Sequence, residues 1–128
     1  MKDFRKLTVW EKAPAATIAI YRTTREYPRD ELYGLTSQTR RAAVSVAANI
    51  AEGCGRATDA DFARFLDMAF GSASELEYHL LLASDLHFLP PKEHAQLAAN
   101  VREVKQMLTS FLKRLRGTPS PPKLKAES

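Results

Sequence analysis

Cysteine is all but missing from this chain. Cys54 stands alone among 128 residues, so no intrachain disulfide can form, and nothing points to an oxidising compartment. Long hydrophobic runs are missing as well. No segment approaches the roughly 20 apolar residues that span a bilayer, and the N-terminal MKDFRKLTVW is charged where a signal peptide would be apolar. A cytoplasmic protein with no membrane partner is expected. The three histidines, His79, His87 and His94, share no metal-ligand spacing with one another or with Cys54. Glu75 and His79 lie four apart, which makes one pair of ligands and not a site. The Glu-x-x-His motif of paired-iron bundles does not occur, and neither does a Gly-rich phosphate loop or a nucleophile elbow. Cys54 sits between two glycines beside Arg56, a setting that lowers a thiol pKa only modestly. The chain is therefore read as non-enzymatic, with no catalytic residue, metal or cofactor.

Charge is missing from one stretch and cations from another. Ala42 to Ala51 carries no charge, and most of its side chains are small. A helix on the surface of a monomer shows an apolar stripe and a charged face. This one would offer water nothing charged for almost three turns, so it is expected to be buried on two sides, by its own core and by a second copy of the protein. Residues 65–91 hold Asp67, Glu75, Glu77 and Asp85 with no Lys or Arg. The flanks are basic: residues 1–64 carry eleven Lys/Arg against eight Asp/Glu, residues 92–128 carry eight against three, and the formal charge is +4. Such asymmetry suits a basic surface that attracts polyanions. It suits equally a positive patch on one protomer meeting a negative patch on the next, and that plainer reading is slightly preferred.

What is present is ordinary for a globular domain: 45% apolar and 27% charged residues, in a chain long enough to bury about two thirds of its unfolded surface. Four helices fit the periodicity, and no segment alternates like a strand. Thr8 and Glu11 have capping-box spacing for the first. Trp10, Ala13, Thr17, Ile20 and Tyr21 then recur on one side, Pro14 predicts a kink, and Tyr27-Pro28 ends the helix. The second follows Gly34 to about Glu52, with Ala43, Val46, Ala47 and Ile50 on one face and Ala42, Ser45 and Asn49 on an adjacent small one. Gly53 is expected to stop it in a left-handed turn. Thr58 and Asp61 open the third, whose apolar stripe runs from Phe62 to Ala83. Gly71 costs that helix about 1 kcal/mol relative to alanine, which close approach of another backbone would offset. Pro91 suits the first position of the fourth helix, where Leu97, Val101, Val104, Leu108, Phe111 and Leu115 form an a/d seam ending at Gly117. The expectation is an all-α, antiparallel up-down-up-down four-helix bundle over residues 1–117, followed by a disordered tail over 118–128.

Three segments, FRKLTVWEKA at Phe4–Ala13, YGLTSQTRRAAVSVAANIAEG at Tyr33–Gly53 and FARFLDMAFGSASELE at Phe62–Glu77, resemble one family. It is the bacterial four helix bundle protein family, first noticed as products of intervening sequences inside large-subunit ribosomal RNA genes. A related branch is the accessory variability determinant of diversity-generating retroelements, which partners a reverse transcriptase. The resemblance spans residues 4–115 and is nearer the intervening-sequence branch. Pro14 and the pair Ala47-Ala48, where a Pro-Ala pair is commoner, depart from the pattern. The resemblance implies a homopentameric ring with a central channel. For the retroelement branch it implies binding of nucleic acid and of the polymerase.

Candidate residues fall into two groups. Arg5, Lys6, Lys12, Arg22 and Arg25, then Arg40 and Arg41, then Lys113, Arg114 and Arg116 offer cations to RNA or DNA. Solvated solubilising charge is the plainer role for most of them. Arg40 shares a side with Ala43, Ala47 and Ile50, so it meets a neighbouring helix, either as a phosphate clamp or, preferably, in an ion pair with Glu75, Glu77 or Glu52. Aromatic residues are not interleaved with the basic ones, which favours backbone contact over base stacking. The second group is an oligomer interface of Ala42, Ser45, Val46, Asn49 and Glu52 with Gly71, Ser72 and Glu75. Its polar members, together with Ser74, read as a hydrogen-bonded network that fixes helix register. The functional expectation is a homo-oligomeric scaffold that binds nucleic acid or a nucleic-acid enzyme. The alternative is a protein–protein adaptor with no nucleic-acid binding.

Overall fold

The computed structural model describes residues 7–117. They form α1 (Thr8–Thr24), a 3-10 turn at Arg29–Glu31, α2 (Leu35–Cys54), α3 (Asp59–Asp85) and α4 (Pro91–Arg116), and the described residues contain no strand. Each helix packs on two neighbours in the cyclic order α1, α2, α3, α4, and the diagonal pairs are held apart. Cross-helix pairs set the directions. Thr17 Oγ1 donates to the Ala43 carbonyl at 3.2 Å and Arg40 Nε to Thr24 Oγ1 at 2.8 Å, so α1 and α2 run oppositely. Lys105 meets Glu77 and Arg116 meets Asp67, which does the same for α3 and α4. The result is the antiparallel four-helix bundle that the periodicity implies. No helix of the described residues is long and apolar enough to cross a membrane.

The core is a column of Ile20, Ile50, Phe62, Leu66, Leu80 and Leu108, all fully buried. Each such side chain contributes about 1.5–3 kcal/mol on leaving water. Along α4 the seam is buried from Leu97 to Leu108, but beyond it Leu112 takes the core position and Phe111 is only partly covered. A straight helix drifts about 20° per heptad against a 3.5-residue repeat, enough after two heptads to exchange the inward residue. Ala13, Ala43, Ala73 and Val101 line a central void of only about 10 Å³, the space of one water at most. That leaves no room for a small-molecule ligand in the middle of the bundle.

Helix ends depart from the sequence expectation in four places. Leu7, not Thr8, caps α1, with no side-chain bond, because the Trp10 N–H already reaches the Leu7 carbonyl at 3.0 Å. α1 runs unbroken through Pro14 and stops at Thr24, where Glu26 and Tyr27 close tight turns onto Thr23 and Thr24. The Thr58 hydroxyl accepts from the Asp61 N–H at 3.1 Å as expected, but the Asp61 carboxylate faces Arg64 at 3.6 Å instead of returning to the cap. Gly53 is not a left-handed stop. It lies inside α2, Gly55 follows with ordinary right-handed geometry, and Cys54 is buried as the last helical residue. The reason for a glycine at 53 is contact: a Cβ there would stand 2.8 Å from Phe65 Cβ and 2.9 Å from Phe62 Cδ1. Gly117, by contrast, does end α4 left-handed at φ 63°. The tail after Gly117 lies outside the described residues.

Candidate functional site

The antiparallel order gathers the end of α1, the 3-10 turn and the start of α2 at one end of the bundle, together with the α3–α4 turn, where Phe88 packs on Tyr27 at 6.0 Å. Two open grooves flank Arg40 there. One is lined by Tyr21, Leu32, Tyr33, Ser37, Arg40, Arg41, Val44 and Ser45. The other is lined by Thr24, Arg25, Tyr27, Pro28, Arg29, Leu32, Thr36 and Arg40. Neither lining contains a carboxylate. Arg40 meets a neighbouring helix as expected, but its partners are on α1: it donates to Thr24 and covers the Tyr21 ring at 4.9 Å. The ion pair with Glu52, Glu75 or Glu77 does not form within the protomer. Arg22, Arg25, Arg29 and Arg41 pair with no carboxylate among the described residues. Of these, Arg22 lines neither groove.

The turn between the grooves is fixed by its own hydrogen bonds. Gly34 N–H reaches the Glu31 carbonyl at 2.9 Å, and the Glu31 carboxylate accepts the Leu35 N–H at 3.0 Å, which caps α2. Tyr33 is held there with 93% of its surface exposed. The sequence reading puts Tyr21 on the stripe of the first helix and gives neither Arg29 nor Tyr33 a site role, because tyrosines at 21 and 33 are separated along the chain from Arg40 and Arg41. The fold interleaves what the sequence separates.

The other cations are largely engaged. Lys12 faces Glu103 at 3.7 Å, Arg56 binds Glu52 at 2.9 Å and Lys105 binds Glu77 at 2.9 Å, while Arg116 is paired with Asp67. Arg56 and Arg64 also lie over the Phe65 ring at 4.4 and 4.7 Å. Arg114 covers Phe111 at 5.2 Å. Lys113 is exposed and has no carboxylate partner among the described residues. Arg5 and Lys6 lie outside the described residues.

On the α2–α3 seam Ser45 Oγ and Ser72 Oγ are 2.8 Å apart, and Asn49 Nδ2 donates to the Ser45 carbonyl at 2.9 Å and to its hydroxyl at 3.0 Å. This is a register-fixing network between two helices of one protomer. Glu52 turns to Arg56, and Glu75 lies 3.7 Å from the buried His79, so neither joins it. Ala42 and Val46 face the protomer's own core at 3% and 4% exposure. The uncharged stretch is thus covered on one side only. Its other side, Val44 and Ala48, is open, and Met68, Gly71 and Tyr78 are exposed on neighbouring α3. No backbone of the protomer approaches Gly71, where an added Cβ would meet nothing within 4 Å.

Comparison with known proteins follows the same lines. Residues 5–110 match the model of the 23S rRNA-intervening sequence protein family. A solved structure, a protein of unknown function from the S23 ribosomal protein family of Bacteroides thetaiotaomicron, superposes with a TM-score of 0.76 at 24% identity, over 83% of this chain and 99% of that one. At that identity the likeness concerns the fold alone. No curated protein matches the chain.

Proposed function

The chain belongs to the 23S rRNA-intervening sequence protein family, and from that premise we propose that it is a non-enzymatic, homo-oligomeric, cytoplasmic scaffold that binds RNA or DNA through the arginine-lined end of its bundle. One observation carries the reading. Arg25, Arg29, Arg40 and Arg41 surround grooves without a single carboxylate, whereas Lys12, Arg56, Arg64, Lys105 and Arg116 each have a carboxylate partner. Guanidinium groups held near one another repel, and a polyanion relieves that repulsion while releasing its own condensed counterions. The planar fork of arginine suits phosphate oxygens.

Assembly multiplies a weak contact. The uncovered side of α2 at Val44 and Ala48, continued by Met68 and Gly71 on α3, is the surface that a second copy would cover. The family resemblance supports five copies. A reverse transcriptase or another nucleic-acid enzyme is the protein partner that the related retroelement branch suggests.

The test is fluorescence anisotropy of the purified protein with labelled RNA and DNA across a salt series. Binding in about the micromolar range or tighter, with a steep log–log salt slope, is expected. Absence of binding at low salt contradicts the reading. It would favour a protein–protein adaptor, for which the exposed Val44, Met68 and Tyr78 are the supporting observation.

A further inference from the structure

The groove between α1 and α2 holds more than cations. Among the described residues Tyr33 is the most exposed of the large hydrophobic side chains, with 93% of its surface open to water. It is not a loose loop residue, because the bonds from Gly34 and Leu35 to Glu31 fix the backbone on its C-terminal side and Leu32 N–H closes onto Arg29 at 3.1 Å. An aromatic ring on a hydrogen-bonded turn, left open by the described residues, is a ready stacking surface. It lines the same groove as Arg40 and Arg41, and the Tyr21 ring beneath Arg40 supplies a second aromatic wall.

We propose that this groove binds single-stranded nucleic acid, with an unpaired base stacked on Tyr33 and the adjoining phosphates held by Arg40 and Arg41. The inference rests on the nucleic-acid reading above and narrows it to a strand form. Bases inside a duplex are already stacked on one another and present only their edges, so a free tyrosine ring has nothing to stack on there. A single strand offers both faces of each base, and stacking on an aromatic side chain tolerates any sequence. Arg40 lies against Tyr21 and is braced by Thr24, so its guanidinium is already oriented before a strand arrives. Arg41 has no such brace and supplies charge alone. The consequence is a site that prefers unpaired strands and is indifferent to base identity.

The test compares labelled oligouridylate and oligoadenylate with an RNA duplex of equal length, by anisotropy at fixed low salt, for the wild type, Tyr33→Ala, Tyr33→Phe and Arg41→Ala. Circular dichroism and sedimentation of each variant accompany the titrations. The proposal expects single strands to bind tighter than the duplex. Tyr33→Ala should weaken single-strand binding about tenfold and leave duplex binding unchanged, and Tyr33→Phe should restore the affinity. Arg41→Ala should weaken both and lower the salt slope by about one. Equal binding of single strand and duplex, both indifferent to Tyr33→Ala, overturns the stacking proposal while nucleic-acid binding stands. Binding of neither ligand defeats the nucleic-acid reading itself. A change of native mass in Tyr33→Ala, with strand affinity per assembled particle unaltered, overturns the proposal by making Tyr33 a contact between copies.

Discussion

Tyr27 lies buried against Phe88 with a hydroxyl that has no hydrogen-bond partner. Burial, and secondarily the carboxylate of Glu93, raise its pKa from 10.0 to about 12. In the unfolded chain the phenol ionises first, so between those values the folded state binds more protons and stability falls as pH rises. The contribution is whole below pH 10 and lost as pH climbs through the folded value. Tyr27→Phe should flatten this alkaline loss and leave stability at neutral pH unchanged or slightly higher, since it removes an unsatisfied buried group. Chemical denaturation at a series of pH values checks both. Two glycines give opposite expectations. Gly53→Ala must push Phe65 and Phe62 away from α2, costing about 1–3 kcal/mol as overpacking does, and its place in the last helical turn leaves little propensity to regain. Gly71→Ala meets nothing and should stabilise the isolated protomer by about 0.5–1 kcal/mol. Thermal unfolding separates them. If Gly71 lies between copies, the same change weakens assembly while it stabilises the protomer, which sedimentation detects.

The helices were legible in the sequence because their signals are local. A 3.6-residue stripe, a Thr58 cap, Pro91 at a helix start and a C-terminal Gly117 all act within a turn or two. Where the reading failed, a longer-range contact decided. Gly53 has the residue type of a stop signal, but its role is set by Phe62 and Phe65 on the next helix. The tyrosine–arginine groove was invisible for the same reason, being assembled from α1, a turn and α2. The core-facing side of the uncharged stretch of α2 is legible in the sequence, yet periodicity alone does not divide its residues between the two sides. Val46 lies in the core, whereas Val44 is 44% exposed. Val46→Glu therefore buries a charge in the protomer and should cost about 3 kcal/mol or more, lowering helicity and melting temperature. Val44→Glu and Ala48→Glu leave the core alone. They should keep helicity and lower native mass if the open side of α2 is where copies meet.

Seen as one body, the molecule treats the cations at its two ends differently. Near the end of α4 Arg116 is matched with Asp67, Arg56 with Glu52, and Lys12 with Glu103 farther along the helix, although Lys113 and Arg114 have no carboxylate partner among the described residues. At the opposite end the arginines of α1, the turn and α2 are left without carboxylates. A matched cation is already neutralised locally and gains little from a phosphate. An unmatched one contributes its full share to counterion release. The measurement that tests this most directly is the salt dependence of RNA binding for three proteins: the wild type, Arg25→Gln/Arg29→Gln/Arg41→Gln, and a variant of the matched cations at the α4 end, Arg56→Gln/Arg116→Gln. The triple variant is predicted to lose about two to three units of log–log slope, and most of the affinity at moderate salt, with its native mass unchanged. The α4-end variant is predicted to change the slope by about one or less. Loss of the slope in the α4-end variant, with the triple variant binding like the wild type, would contradict the account.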